Sequence, residues 1–341
     1  MTNSKTRRAG AVGHRRGPAP AATAWSPGRI VRLLVAGILT ALVLWKANVS
    51  AVLRAGAQAD LAWIGAAVLL VAFDRALMAY RWLVLLCPID VRDRPPFRDV
   101  MRVFFVSTFL GTFLPASVGG DAVRAYGLAR LRVAAGPAVA SVLMDRLLGV
   151  LSIVFVGVAG LALARSDDLG SNRSIAVSLL VAGAVCVIGA LIVFSDRAAG
   201  LASAVASRLP VAAIRAMATE LTQATRAYSR YHGELATVLA GSVGVQALRI
   251  VQAYCLGRAL GIEQSVVVYA ALIPLILLVM LLPVSVNGIG TSQVAFVWFF
   301  GRVGVGAAEA FALSVLFVAL GVVGNLPGGL LYAFGPRAQT T

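Results

Sequence analysis

Seven apolar runs, at residues 30–45, 61–86, 137–164, 174–194, 235–257, 266–282 and 310–334, leave this chain little choice of fold. Each comes close to the length a helix needs to cross a hydrocarbon core of roughly 30 Å. None alternates polar and apolar residues as the strands of a membrane barrel do. Lipid tails cannot satisfy free backbone groups, so such runs fold as helices. Sixty per cent of the 341 residues are hydrophobic and 13% are charged, too few charges to cover a soluble domain of this size. The reading is all-α: a polytopic helical membrane protein with about seven to nine membrane segments.

The net charge of +16 would suggest nucleic acid in a soluble protein, but here the basic residues sit in the first 29 residues and in the connections between runs. Positive-inside sorting accounts for them without a nucleic-acid partner. Residues 1–29 carry Lys5, Arg7, Arg8, Arg15, Arg16 and Arg29 and no acid, and read as a disordered cytoplasmic tail. A transmembrane domain follows over residues 30–336, then a short tail at 337–341. The arginines also bear on residues 100–117. If that stretch crosses the membrane, Arg124, Arg130 and Arg132 fall outside; if it turns back near Pro115, they stay inside. Charge sorting favours the re-entrant hairpin, leaving residues 165–173 outside and 196–234 inside. Residues 208–230 read either as an amphipathic helix on the inner surface or as a solvated connector. A cysteine placed at Ala204 is expected to resist an impermeant reagent on intact cells, and strong labelling there would reverse the topology.

Cys87, Cys186 and Cys255 are isolated in or beside apolar runs and read as packing residues. The two histidines, His14 and His232, lie in polar stretches, so neither a metal centre nor a Ser/His/Asp triad is expected. No phosphate-binding G-x-x-x-x-G-K-[ST] loop occurs, and no cofactor is expected.

One motif interrupts this apolar pattern twice. LPASVGGD at 114–121 is echoed by LPVSVNGIG at 282–290, each closing an apolar run and preceding a fresh helical pattern. Proline removes a backbone donor and glycine permits a turn or a close approach. A chain broken within a bilayer must face protein or a watery cavity. Two such breaks entering from opposite sides would make an inverted repeat, an arrangement used by transporters.

Charges inside apolar runs need partners, because each costs about 2.5 to 3.5 kcal/mol at a helix centre on insertion scales. Asp145 and Arg146 point about 100° apart on a helix and are expected to pair with other segments rather than each other. Asp74, Arg75 and Arg81 pose the same problem in the second run. Gln246, Arg249 and Gln252 form a polar stripe at intervals of three. Asp121 reads as the N-cap of a helix that carries Arg124, with an Asp121–Arg124 pair that opens when a phosphate arrives as the functional alternative. For all these charges, a bundle-locking cluster and a translocation path stand side by side.

With LPASVGGDAVRAYGL, MDRLLGV at 144–150 and the late LPVSVNGIG, the chain resembles the lysylphosphatidylglycerol synthase transmembrane-region family, a flippase-like domain of bacterial and archaeal membranes. The resemblance covers nearly the whole chain after the tail. It implies a plasma-membrane domain with two re-entrant elements, associated with moving phospholipid, aminoacylated or glycosylated lipids between leaflets. It marks Pro115, Gly119, Gly120, Asp121, Arg124, Asp145, Arg146, Pro283, Ser285, Gly288 and Gly290 as site residues. Ser117, Asn287, Arg249 and Gln252 join them as candidates for substrate binding. Where the family commonly shows an Arg-Glu pair, this chain has Thr291, Ser292 and Gln293. The end at Thr341 leaves no room for the soluble aminoacyl-transferase domain of larger synthases, so lysyl transfer is not expected. The expected function is lipid translocation without catalysis. The alternatives are a membrane-embedded glycosyl or phosphoryl transferase acting on a lipid, or a non-catalytic partner of a separate synthase.

Overall fold

A computed structural model describes residues 59–89, 94–113, 118–164, 226, 228, 230–281 and 290–334. The basic tail, the apolar runs at 30–45 and 174–194, the loop 165–173, nearly all of the segment 208–230, and Cys186 lie outside the described residues. So do the site candidates Pro115, Ser117, Pro283, Ser285, Asn287 and Gly288. Among the described residues there are eight helices and no strand: α1 Leu61–Val84, α2 Phe97–Gly111, α3 Val118–Arg130, α4 Ala135–Leu163, α5 His232–Ala259, α6 Val266–Met280, α7 Thr291–Gly301 and α8 Ala307–Phe334. Helices α1, α4, α5 and α8, of 24 to 29 residues, are long and apolar enough to cross a membrane. The protein is a polytopic helical membrane protein.

The bundle is apolar outside and polar within. Leu69, Phe73, Phe155 and Leu330 are exposed on its surface, whereas Asp74, Arg81, Arg124, Asp145 and Gln246 are buried. A soluble helix has the reverse pattern, and only a lipid surround makes this one economical.

Small residues set the helix spacing, as expected where dispersion rather than hydrophobic exclusion drives association. On α5, Gly241 and Gly244 sit against Leu77 of α1. The two helices run antiparallel, since Trp63 near the start of α1 meets Tyr254 near the end of α5. On α4, Gly157 lies against Pro274 and Gly160 against the Ala270 backbone of α6. Gly328 of α8 abuts the Phe105 carbonyl of α2 so closely that a Cβ there would overlap it. Gly328→Ala is therefore expected to cost about 1–3 kcal/mol through overpacking. Gly65→Ala, where an added Cβ meets nothing within 4 Å, should cost nothing. Thermal unfolding in detergent tests the pair, and equal midpoints would contradict the contact.

Two short hairpins complete the bundle. Helices α2 and α3 pack antiparallel, because a Cβ on Gly111 would lie 2.9 Å from the Gly120 Cα and one on Gly127 would lie 2.7 Å from Val103. Helices α6 and α7 do the same. Tyr269 and Phe300 meet at the base with ring centroids 5.2 Å apart, while Val279 and Thr291 line a common cavity at the other end. Each copy of the Leu-Pro-x-Ser-Val motif thus falls between two short antiparallel helices.

Helix α8 relates the two hairpins. At the tip of the first, Asn325 donates to the Thr112 hydroxyl at 2.8 Å, and Gly328, further along α8, meets Phe105, nearer the base of α2. The first hairpin therefore comes in from the C-terminal end of α8. The base of the second is joined to α8 through residues 302–306, and Phe317 packs on Phe296 with centroids 5.6 Å apart. The second comes in from the N-terminal end, so the tips converge near the middle of α8.

Of the cysteines, Cys255 is buried and Cys87 half-buried, both unbridged. Cys87 lies just past the end of α1, where burial pushes its thiol up to about 11, as suits a packing residue.

Candidate functional site

The centre of the bundle holds a carboxylate between two arginines. Asp145 of α4 accepts from Arg81 Nε of α1 at 3.1 Å and from the same guanidinium's Nη2, while its other oxygen accepts from Arg124 Nη1 of α3 at 3.0 Å. All three side chains are buried. Arg124 also lies over the adjoining rings of Trp82 and Phe104, its Cζ 5.1 and 5.0 Å from the ring centroids, and donates from Nε to Ser107 at 3.4 Å. Such stacking suits the weakly hydrated, planar guanidinium and would not suit lysine.

The next residue on α4, Arg146, turns to a different partner. It binds Asp121 of α3 in a two-pronged pair, Nε to Oδ2 at 2.7 Å and Nη2 to Oδ1 at 3.0 Å, in a more exposed position. Successive residues on a helix diverge too far to share a partner. This geometry corrects two expectations. Asp121 is not the N-cap, because α3 begins at Val118 and places Asp121 within its first turn. Nor does Asp121 pair with Arg124, which goes to Asp145 instead. The early start is physical: Gly120 sits inside the helix because its missing side chain admits Gly111.

A second group of the same kind lies two turns earlier on the same face of α1. Asp74, 1% exposed, has Arg75 Nη1 at 3.4 Å from Oδ2 and Arg249 Nε at 3.5 Å from Oδ1. The arginines meet at Met78, whose sulfur accepts from Arg75 Nη1 at 3.3 Å and Arg249 Nη2 at 3.6 Å. Arg75 also donates to the Gly321 carbonyl of α8 at 3.4 Å. These ion pairs are long, and Asp74 Oδ1 makes no hydrogen bond.

Two neighbouring compartments open beside these groups. The larger, about 270 Å³, is lined by Arg81, Arg124, Asp145, Asp121, Arg146, Gln246 and Arg249, together with Gly111, Thr112, Gly120, Leu281 and Asn325. The smaller, about 190 Å³, is lined by Asp74, Arg75, Arg249, Gln252, Gly321 and Asn325. Arg249 and Asn325 border both. Residues next to each motif copy, Thr112 and Gly120 for the first and Leu281 for the second, face the same space.

Of the candidates within the described residues, Gly120, Asp121, Arg124, Asp145, Arg146 and Arg249 meet in the larger compartment, and Gln252 in the smaller. Gly119 is not on either wall. Gly290 stands apart, lining an apolar cavity of about 420 Å³ with Val279, Val294 and Trp298. Its φ of 94° is one that glycine alone adopts readily. Gln293 folds back to accept from the Gly290 N–H at 2.6 Å and from the Ser292 hydroxyl at 3.0 Å. This chain thus closes the start of α7 with a neutral cap.

Asn325 escaped the sequence reading, although it is the lone amide in the apolar run 310–334 and the reasoning that flagged Asp145 applies to it. Ser107, Thr108 and Thr112 gave no signal, because hydroxyls inside helices usually bond to their own backbone. They do so here, Ser107 and Thr108 to the Phe104 carbonyl and Thr112 to that of Thr108.

Compared with known families, residues 29–328 match the family described as "Lysylphosphatidylglycerol synthase TM region". No curated protein matches the chain.

Proposed function

Because the chain belongs to the lysylphosphatidylglycerol synthase TM-region family, a family of membrane proteins concerned with lipid, we propose that it carries the polar headgroup of a membrane lipid between leaflets without altering it chemically. The observation that carries this reading is the charged cavity at the meeting point of two hairpins that come in from opposite ends of α8. Ionised side chains are costly at such depth and are kept there for binding or passage. The cavity replaces a headgroup's water with arginine, glutamine and asparagine donors, while the apolar exterior leaves the acyl tails in the bilayer.

The hairpin arrangement supports passage over mere holding. Broken helices whose tips meet at mid-span, one from each end, are the usual architecture of alternating access, in which one half rocks against the other around a central site. We place both hairpins within the membrane as re-entrant elements. The protein would sit in the plasma membrane with its N-terminus in the cytoplasm, where a separate synthase or transferase could supply its lipid.

The carboxylates of the cavity each face arginines, an arrangement that suits an anion better than a divalent cation. The test is reconstitution of the full chain into liposomes with labelled lipids, followed for leaflet exchange and separately for chemical change. Exchange of intact lipid is the expected result. Product formation without exchange would establish a transferase. Neither signal, with a cognate synthase supplied, would establish a structural partner.

A further inference from the structure

We infer that the headgroup this cavity takes is a phosphate monoester, a compact dianion, rather than a zwitterionic, aminoacylated or glycosylated group. The inference rests on the translocation reading and narrows its substrate.

The first argument is charge. Across the two compartments five guanidiniums face three carboxylates, leaving a net charge of +2. The Asp121–Arg146 pair is neutral. One positive charge is left over where Arg81 and Arg124 share Asp145, and one where Arg75 and Arg249 share Asp74. These two groups lie along one face of α1, seven residues and thus about 10 Å apart at ~1.5 Å per residue. Uncompensated positive charge is expensive in a membrane interior, and a bound dianion cancels it. An aminoacyl ammonium has no such welcome. Each cavity carboxylate already has a guanidinium within 3.5 Å, so an added cation would meet the repulsion of the surplus arginines.

The second argument is hydrogen bonding. Gln252 is 4% exposed and its Nε2 has no partner, nor has Arg75 Nε. Both residues line the smaller compartment, and Arg249 beside them makes no nitrogen–oxygen hydrogen bond shorter than its 3.5 Å approach to Asp74. Buried donors without acceptors are rare in folded proteins and mark where a ligand belongs. Phosphate oxygens supply acceptors for these two donors, while the unpartnered oxygens on the same walls, Asp74 Oδ1, Gln246 Oε1 and Asn325 Oδ1, are not served by them.

The third argument is size. At about 270 and 190 Å³ the compartments fall below the roughly 300–1,000 Å³ typical of sites for larger ligands. A phosphate fits either compartment by itself.

The experiment titrates the purified full chain with phosphatidic acid, phosphatidylglycerol, phosphatidylcholine and lysyl-phosphatidylglycerol, reading thermal stabilisation, and follows leaflet exchange of the same lipids in liposomes. Inorganic phosphate and glycerol 3-phosphate separate a free phosphate from a lipid one. Phosphatidic acid is expected to bind and move with a preference of about tenfold or more over the others, one extra charge interacting with the cavity. Its binding should strengthen from pH 5 to pH 7.5 as the second phosphate proton, with a pKa near 6, leaves. Among the described residues, the charged groups on the walls are Asp and Arg on α1, α3, α4 and α5, with no histidine or cysteine, so a step near pH 6 reports the ligand. Exchange that favours lysyl-phosphatidylglycerol or phosphatidylcholine would overturn the headgroup assignment and leave translocation standing. Selective stabilisation by phosphatidic acid without any exchange would uphold the assignment and remove translocation. Stabilisation by inorganic phosphate equal to that by phosphatidic acid would show a free-phosphate site and overturn the lipid assignment.

Discussion

Asp145→Asn is expected to lower the stability of the protein by about 3–5 kcal/mol, the usual penalty for removing one member of a buried ionic group. The carboxylate is held by Arg81 on one side and Arg124 on the other. Removing its charge leaves two guanidiniums buried between α1, α3 and α4 without the carboxylate they share. Asparagine keeps the shape and one acceptor, so the loss is electrostatic rather than steric. The second mutant, Arg81→Gln with Asp145→Asn, returns the group to its original net charge. It should recover stability over the single mutant, with a coupling of about 0.5–3 kcal/mol in the double-mutant cycle. Thermal unfolding of the purified proteins measures both. An Asp145→Asn protein as stable as the parent would mean that this carboxylate is not the electrostatic centre of the bundle.

That centre was half legible beforehand. The cost of a charge inside an apolar run singled out Asp74, Asp145 and their arginine neighbours from composition alone. Pairing was not legible, because partners on different helices depend on how each helix is rotated about its axis, which hydropathy does not report. Asp121 shows the consequence: its preceding glycines look like a helix break, but Gly120 is helical and packs on Gly111, a contact that no local pattern reports. The helices were easier. Runs at 61–86, 137–164, 235–257 and 310–334 match Leu61–Val84, Ala135–Leu163, His232–Ala259 and Ala307–Phe334 to within a few residues, since one physical quantity, apolar length, determines both. Charge sorting suggests a turn-back after residue 100; α2 and α3 pack antiparallel, as consecutive helices do whether or not they turn back within a membrane. The motif echo pointed to the hairpins, whereas their approach from opposite ends of α8 rests on contacts such as Thr112 with Asn325 that no local pattern encodes.

Arg249→Gln separates binding from folding more cleanly than any other change in the cavity. Arg124 cannot serve, since it is tied to Asp145 and lies over the rings of Trp82 and Phe104, and its loss would damage the bundle. Arg249 is looser. Its side chain is 23% exposed, its nearest carboxylate oxygen is 3.5 Å away, and Asp74 keeps Arg75 as a counter-charge when Arg249 is gone. Glutamine retains donors on the same wall at lower charge. A partly exposed pair of this length contributes on the order of 1 kcal/mol or less to stability, so the unfolding midpoint should move little. The effect on exchange should be large, because Arg249 borders both compartments and so meets a headgroup held in either. Losing a charge-assisted hydrogen bond of about 1.5–3 kcal/mol at that point slows exchange by roughly ten- to a hundredfold. Arg249→Lys keeps the charge without the planar fork and should fall between the two. Initial rates of leaflet exchange in liposomes, set beside unfolding midpoints of the same preparations, decide the matter. Parental exchange rates for Arg249→Gln would remove it from the path, and a midpoint loss as large as that of Asp145→Asn would make it a structural residue of the bundle.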